Sequence, residues 1–310
     1  ATFMILPLII NFINLLLSIL YMSKILLGLN SVSHDTGIAI VDTNGKIEFA
    51  VSEERFSRIK KDDSFPEKSL NYAKNFDEIV IPQIKNIDFK LRALNVSLNA
   101  ILHEKSANIT NMWFNKIIKK IKGISFSTDT KITKSNEFLK KNNIKKTYVE
   151  HHHAHAASAY YHSGFKDSVV LSLDGMGDLC SGGIYDGKDG KLERLKKFFI
   201  QEAPFALDYQ LLTTILGFKP NRHEGKITGL AAYGKYNEKC IQKVESFLDK
   251  IWSKNFKLDY DASQNWSNSL FLSTREDGIQ ISKTYRDTIF KEFSRGDLAF
   301  AIQYLTEKKV

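Results

Sequence analysis

The chain has 310 residues, 43% hydrophobic and 25% charged, which excludes a disordered or fibrous protein and allows one large or two ordinary domains. The formal net charge is +9, but Lys and Arg are spread along the chain, so we expect a solvated basic surface or an anionic small substrate and no nucleic acid. Cys180 and Cys240 lie far apart, which argues against a disulfide framework and favours a reducing, cytoplasmic compartment.

Residues 1–21 carry no charge and are long enough to span a bilayer. Pro7, Asn11 and Asn14 interrupt the apolar run, and the segment lacks the basic start and cleavage site of a secretory signal. Because Met22 directly precedes a convincing strand, we interpret this leader as a translated upstream region or cloning remnant. A membrane anchor is the alternative interpretation of this segment.

Apolar runs separated by turn residues predict a strand meander after the leader. The runs cover residues 25–29, 37–41 and 46–52, and an Asn-Gly pair precedes the third. A helix-like stretch at 66–76 and a short strand at 78–81 follow. This order of elements predicts a mixed sheet with helices against it, in the α/β class.

Residues 83–146 are interpreted as a helical insertion. Amphipathic helical patterns occur at 91–112, 113–121 and 135–142. A second round of strands then begins at 147–150, and this short strand leads directly into a run of histidines.

Four of the eight histidines lie in that run: His151, His152, His153 and His155. No Gly or Pro follows until Gly164, so we expect the histidines at the first turn of a helix. At about 100° per residue, His151 and His155 project from one face, which suits two ring nitrogens on one metal ion. His152 with His155 is the alternative register. The zincin pattern is absent, so we predict an open metal site that awaits a carboxylate ligand.

Two hairpin turns carry small and acidic residues. An apolar strand at 168–173 ends in such a turn at 174–178, its partner begins at 182–185, and the first meander has a similar turn at 34–37. Actin-like and sugar-kinase-like ATPases hold phosphates with backbone N–H groups of two such turns. The pair of turns therefore predicts a nucleotide phosphate site.

The remaining chain predicts helices at 206–216, 240–252 and 287–308. Residues 222–234 mix cations, a carboxylate and glycines, which predicts a loop that approaches a charged ligand; a solvated connector is the alternative. The last helix has an apolar face at 298–305 with nothing after it to cover it. We therefore expect the chain to stop in mid-domain.

Five segments together resemble the NodU/CmcH-type carbamoyltransferases, and their order and spacing match that family from Met22 to about the C-terminus. The segments are residues 27–37, 52–66, 151–159, 172–178 and 223–234. Five linked motifs are far more specific than any one of them.

The resemblance implies an actin-like ATPase (RNase H-like) fold over residues 22–310, incomplete, with the helical insertion at about 83–146. It implies iron, as Fe²⁺ or another divalent metal, and a nucleotide bound with Mg²⁺. A carboxy-terminal YrdC-like domain, expected in the full-length protein, would make carbamoyl adenylate from ATP and carbamoyl phosphate. The amino-terminal domain would pass the carbamoyl group to a hydroxyl of a small-molecule acceptor.

The family pattern also implies residue roles. His34 matches a candidate general base for the acceptor hydroxyl, and His151 and His155 match the paired metal ligands. The third ligand, an Asp, is expected beyond Val310, so the chain alone should bind metal weakly and should not make carbamoyl adenylate. The other matched positions are expected near the nucleotide or substrate: Asp35, Thr36, Gly37, Asp174, Gly175, Gly177, Asp178 and Lys226 for the cofactor, Arg55 and Glu224 for the substrate, and Arg58 near the ligand.

Two other functions stay open at this stage. One is a relative that transfers threonylcarbamoyl groups to tRNA, although residues 53–56 fit it poorly. The other is a nucleotide- or metal-binding module without turnover. No motif identifies the acceptor.

Overall fold

The computed structural model describes residues 24–31, 35–83, 85, 88, 91–92, 130–199, 202–220, 222–251 and 285–310. His34, the leader at 1–21 and the helices expected at 91–112 and 113–121 lie outside these residues, apart from two positions at 91–92. The chain divides into two compact units, one formed by Ala1–Ile84 with Phe126–Glu150 and the other by Lys85–Ser125 with His151–Val310. In the described part of the chain, none of the helices has the length and apolar character needed to cross a membrane.

The first unit is built on a five-stranded mixed sheet. Its elements are β1 (Ile25–Asn30), β2 (Gly37–Asp42), β3 (Ile47–Ser52), α1 (Glu54–Ser57), α2 (Glu67–Leu70), β4 (Glu78–Ile81), α3 (Thr130–Lys141) and β5 (Lys145–Tyr148). The strand order is β3-β2-β1-β4-β5; β1, β2 and β3 are antiparallel neighbours, and β4 runs parallel to both β1 and β5. The predicted mixed sheet with helices is confirmed.

Alternation along the strands builds the core of this unit. Leu27 and Leu29 point to the same face of β1 because side chains repeat every two residues, and both are buried with Ile79 and Ile81 of β4. The helix predicted over 66–76 is wrong after Leu70. The chain instead continues in tight turns held by bonds to carbonyls three residues back, and these turns bring it to the start of β4.

A buried carboxylate fixes the segment between the meander and α2. Glu53 is almost inaccessible to solvent. One of its oxygens accepts the main-chain N–H of Lys68 at 3.1 Å, and the other accepts the N–H and the hydroxyl of Ser69 at 2.9 and 2.6 Å. Three donors on one carboxylate compensate for its burial and satisfy N–H groups at the start of α2.

The second unit combines a three-stranded sheet with helices. Its elements are α4 (His151–Ser163), β6 (Asp167–Gly177), β7 (Cys180–Lys188), β8 (Lys191–Phe199), α5 (Phe205–Ile215), α6 (Glu224–Ala231), α7 (Glu238–Ile251) and α8 (Arg295–Lys309). The antiparallel order is β6-β7-β8. Ala156 and Tyr160 of α4 pack with Val170 and Tyr185 in a small core on one face of the sheet.

The four helices α5 to α8 enclose the larger core of this unit. The apolar face at 298–305 is covered, because Leu298, Ile302 and Leu305 are buried in one cluster with residues of the preceding helices such as Leu212 and Val244. The cover comes from segments earlier in the chain.

The loop predicted at 222–234 is also corrected, since its centre is the helix α6. Ile227 and Ala231 lie one turn apart and are both buried in the helical core, whereas Gly225 and Gly229 lie on the exposed side. Burial of that apolar stripe outweighs the low helix propensity of the glycines.

Replacing Glu53 with Gln tests the buried carboxylate. The amide nitrogen of Gln would face N–H and O–H donors, so we expect the free energy of unfolding to fall by about 2–3 kcal/mol. Urea denaturation measures this loss. The control is Glu48→Gln, which removes a charge from an exposed pair with Lys46 and should change little. An equal effect of both substitutions would contradict the proposed role of Glu53.

Candidate metal centre

The histidine helix starts where the sequence predicts, at His151. The main-chain N–H of His151 donates to Asp178 Oδ2 at 2.9 Å. This N–H has no partner inside the helix, and a carboxylate at a helix N-terminus also interacts favourably with the helix dipole. Asp178 lies in the turn between β6 and β7, so this bond fixes the start of α4 on the hairpin.

Three side chains that can bind a metal converge at this end of the helix. His151 Nε2 lies 3.0 Å from His155 Nε2 and 2.9 Å from Asp174 Oδ2, and His155 Nε2 lies 3.8 Å from that oxygen. Three donors held about 2.1 Å from one ion are separated by about 3.0 Å in octahedral and about 3.4 Å in tetrahedral geometry. The two separations from His151 match these values, whereas the 3.8 Å between His155 and Asp174 is longer, so binding of one ion requires a small side-chain movement.

The electrostatics of the His151, His155 and Asp174 side chains also suit a cation. The hydrogen bond from His151 holds the pKa of Asp174 well below its ordinary value, and the Gly175 N–H adds to this, while burial opposes it. Burial lowers the pKa of His155, and the neighbouring His151 lowers it further. Asp174 is therefore a carboxylate and His155 a neutral imidazole at pH 7, the forms in which both bind metals.

His152 has a different role from its neighbours, which bears on the two registers that the spacing left open. It is fully buried, and its Nε2–H donates to the carbonyl of Cys180 at 2.9 Å while its Nδ1 lies 3.2 Å from the hydroxyl of Ser172. Burial lowers the pKa of His152. Both ring nitrogens of His152 are bonded inside the protein, so this neutral histidine ties α4 to the sheet. His151 and His155 are the pair whose ring nitrogens lie near Asp174.

The turn between β6 and β7 differs from the predicted one. Residues 174–177 continue strand β6, and the turn consists of Asp178 and Leu179, whose φ angles are 51° and 66°. Two positive φ values are typical of a two-residue hairpin turn, where Asp is favourable and a side chain such as Leu costs about 1 kcal/mol or more. The strained turn persists because its neighbours hold it.

Two glycines of β6 have opposite surroundings. A Cβ on Gly177 would overlap the imidazole ring of His151, including its Nε2 at 2.6 Å, whereas a Cβ on Gly175 would meet nothing within 4 Å. The absence of a side chain at Gly177 thus makes room for the ring of a candidate ligand.

The residues predicted beside the first phosphate turn lie in the first unit. Asp35 has a φ of 54°, and its carbonyl accepts a bond from Asn30. Thr36 is fully buried, and its N–H donates to the carbonyl of Asp62 at 3.1 Å. A Cβ on Gly37 would overlap the main chain of β3, so glycine is required there.

The predicted substrate and phosphate contacts belong to elements of both units. Arg55 lies on α1 with 72% of its side chain exposed, and it pairs with Glu54 at 3.9 Å. Arg58 ends that helix with a φ of 61°. Glu224 and the exposed Lys226 lie on the first turn of α6, in the second unit.

Sequence reasoning assigned Asp174 to a phosphate turn and missed its contact with the histidines. The signal was weak, since 23 residues separate Asp174 from His151. The anchoring role of His152 was missed as well, because spacing alone does not tell an inward from an outward histidine.

Comparisons with known proteins agree with these motifs. Residues 24–310 match the family described as Carbamoyltransferase N-terminus. The chain is 28% identical to an uncharacterized protein of Synechocystis sp. over 92% of the chain and 47% of that protein, and 31% identical to an uncharacterized protein of Methanocaldococcus jannaschii over 86% and 50%. It is 28% identical to the nodulation protein NolNO of Sinorhizobium fredii, over 66% of the chain and 28% of that protein.

The chain spans about half the length of the first two relatives. The family match, in contrast, covers almost the whole chain, including the histidine helix, both hairpin turns and α6. The resemblance inferred from the motifs is therefore confirmed, and this chain belongs to the NodU-type carbamoyltransferase family, in the part that forms the family's amino-terminal region.

Proposed function

We propose that the chain is the amino-terminal part of an O-carbamoyltransferase, which passes a carbamoyl group from carbamoyl adenylate to a hydroxyl of a small-molecule acceptor. The observation that carries this proposal is the convergence of His151, His155 and Asp174 in a chain of this family. In the transfer, the acceptor oxygen attacks the carbamoyl carbon and AMP leaves. The site must therefore take up a proton, polarise a carbonyl and stabilise a phosphate.

The metal would be held by His151, His155 and Asp174, and open coordination positions would remain for a substrate. Two imidazoles and a carboxylate with open positions suit Fe²⁺ better than Mg²⁺, which prefers oxygen ligands. When bound, the ion supplies a Lewis acid for the carbamoyl carbonyl. Asp174 is proposed as a third ligand within this chain, whereas the family resemblance implied a third ligand, an Asp, beyond Val310.

Residues of the chain itself would remove the proton and stabilise the phosphate. His34 is proposed as the base that takes the proton of the acceptor hydroxyl, since an imidazole has a pKa near neutrality. Lys226 is exposed at the start of α6 and can approach a phosphate as a mobile positive charge. Asp178 is already bonded to the His151 N–H, which makes it a support of the metal centre in addition to its proposed place in the phosphate turn.

Metal binding provides the first test. Isothermal titration with Co²⁺, or with Fe²⁺ without oxygen, is expected to give one site per chain. Replacing His151 or His155 with Ala, or Asp174 with Asn, removes a donor and should weaken binding more than tenfold. His162→Ala is the matched control, because this histidine lies on the same helix and bonds the Ser158 carbonyl instead. Unchanged affinity in all three ligand variants would overturn the assignment.

A pair of glycine substitutions tests the geometry of the site. In Gly177→Ala the new methyl group would push the His151 ring away from Asp174, so the affinity for Co²⁺ should fall about tenfold or more. Gly175→Ala on the same strand adds a methyl group in open space and should bind Co²⁺ as the wild type does. Equal affinities of the two variants would contradict the packing argument.

The transfer reaction itself is tested after mixing the chain with the carboxy-terminal half of a full-length relative. Radiolabelled carbamoyl phosphate, ATP and a panel of alcohols report transfer. His34→Ala should lose transfer by 100-fold or more while Co²⁺ binding stays unchanged. Full transfer by His34→Ala would refute the base assignment. Absence of transfer by the wild type with every partner half and alcohol would favour a binding module without turnover.

A further inference from the structure

Arg92 belongs to none of the sequence motifs, yet it contacts the turn that supports the candidate metal centre. Its Nη1 donates to the main-chain carbonyl of Asp178 at 3.0 Å and lies 3.6 Å from Cys180 Sγ. Asp178 is 86 residues away in the sequence. A long-range bond from a guanidinium to a turn carbonyl constrains that peptide strongly, because the guanidinium is planar and always charged.

The turn needs such constraints. Asp178 and Leu179 both have left-handed backbone angles, which a chain of L-residues retains only when its surroundings hold it. Two constraints come from α4, namely the bonds of His151 N–H to the Asp178 carboxylate and of His152 Nε2–H to the Cys180 carbonyl. The bond from Arg92 adds a constraint that comes from outside α4 and the hairpin.

The chemistry of Cys180 shows what kind of contact Arg92 makes. Cys180 is fully buried, and burial raises the pKa of its thiol, which Arg92 only partly offsets. The thiol is therefore neutral at pH 7, and Arg92 does not form an ion pair with a thiolate. Its contribution to the turn is a directed hydrogen bond to the Asp178 carbonyl.

We propose that Arg92 is a positioning residue of the metal centre: by fixing the Asp178 peptide, it keeps the Asp178 carboxylate on the His151 N–H and Gly177 beneath the His151 ring. Loss of the Arg92 bond allows the strained turn to relax. His151 then loses both the hydrogen bond of its main-chain N–H and the packing of its ring over Gly177. The proposal rests on the proposed metal-binding function, but the effect of Arg92 on His151 does not require a bound metal.

The test compares Arg92→Gln, Arg92→Lys and the control Lys191→Gln. Lys191 is the first residue of β8 and lies opposite Lys188 in the register of β7 and β8, at the end of β7 that is far from the Asp178–Leu179 turn. Its replacement therefore removes a positive charge without affecting that turn. The first measurement is the hydrogen exchange of the His151 amide in metal-free protein. We expect exchange at least tenfold faster in Arg92→Gln, with the amides of β7 unchanged as evidence that the unit stays folded.

The second measurement is Co²⁺ affinity with the absorption spectrum of bound Co²⁺. Arg92→Gln should weaken binding about fivefold to tenfold and alter the spectrum, Arg92→Lys should recover part of both, and Lys191→Gln should match the wild type. Wild-type exchange of the His151 amide in Arg92→Gln would overturn the proposal. If the wild type binds no Co²⁺ but the exchange result holds, the metal assignment fails and the positioning role of Arg92 stands.

Discussion

The bond between the Asp178 carboxylate and the His151 main-chain N–H joins the start of the histidine helix to the turn between β6 and β7. A helix N-terminus leaves N–H groups without partners, and a carboxylate that accepts one of them determines where the helix begins. Here that position also decides where the His151 ring lies relative to Asp174. One hydrogen bond thus couples the local geometry of the turn to the geometry of the candidate ligands.

In each unit, a buried polar group that is hydrogen-bonded fixes the arrangement of the neighbouring segments. Glu53 holds the start of α2 in the first unit, and His152 ties α4 to β6 and β7 in the second. Leaving one such group without its partner carries a large penalty, so only one arrangement of the neighbouring segments is stable. The apolar core provides most of the driving force for folding, whereas these groups select the arrangement that brings functional residues together.

The candidate site combines a rigid and an exposed part. His151 is held through its main chain, its ring lies over Gly177, and its neighbour His152 is buried in the core. His155 and Asp174 are, in contrast, about half exposed, so ligands from solvent can reach the donor atoms. A supported ligand next to accessible ones is a suitable basis for a metal that must also contact a substrate.

The sequence by itself determined the strands of the meander, the start of the histidine helix and the family. Period-two apolar runs and helix signals are local, and five motifs in order identify a family even where each is weak. The sequence did not decide between His151 and His152, because both project toward His155 at helical spacing. It also assigned residues 222–234 to a loop. His34 lies outside the described residues, and its role stays a prediction.

Tertiary contacts decided those points. The bonds of His152 to Ser172 and Cys180 and the proximity of Asp174 to His151 join residues 20 to 28 positions apart, which no local pattern encodes. The helical form of α6 follows from the burial of Ile227 in a core that also covers the last helix. Such arrangements depend on which side chains can share one desolvated space, and that is settled only when distant segments pack together.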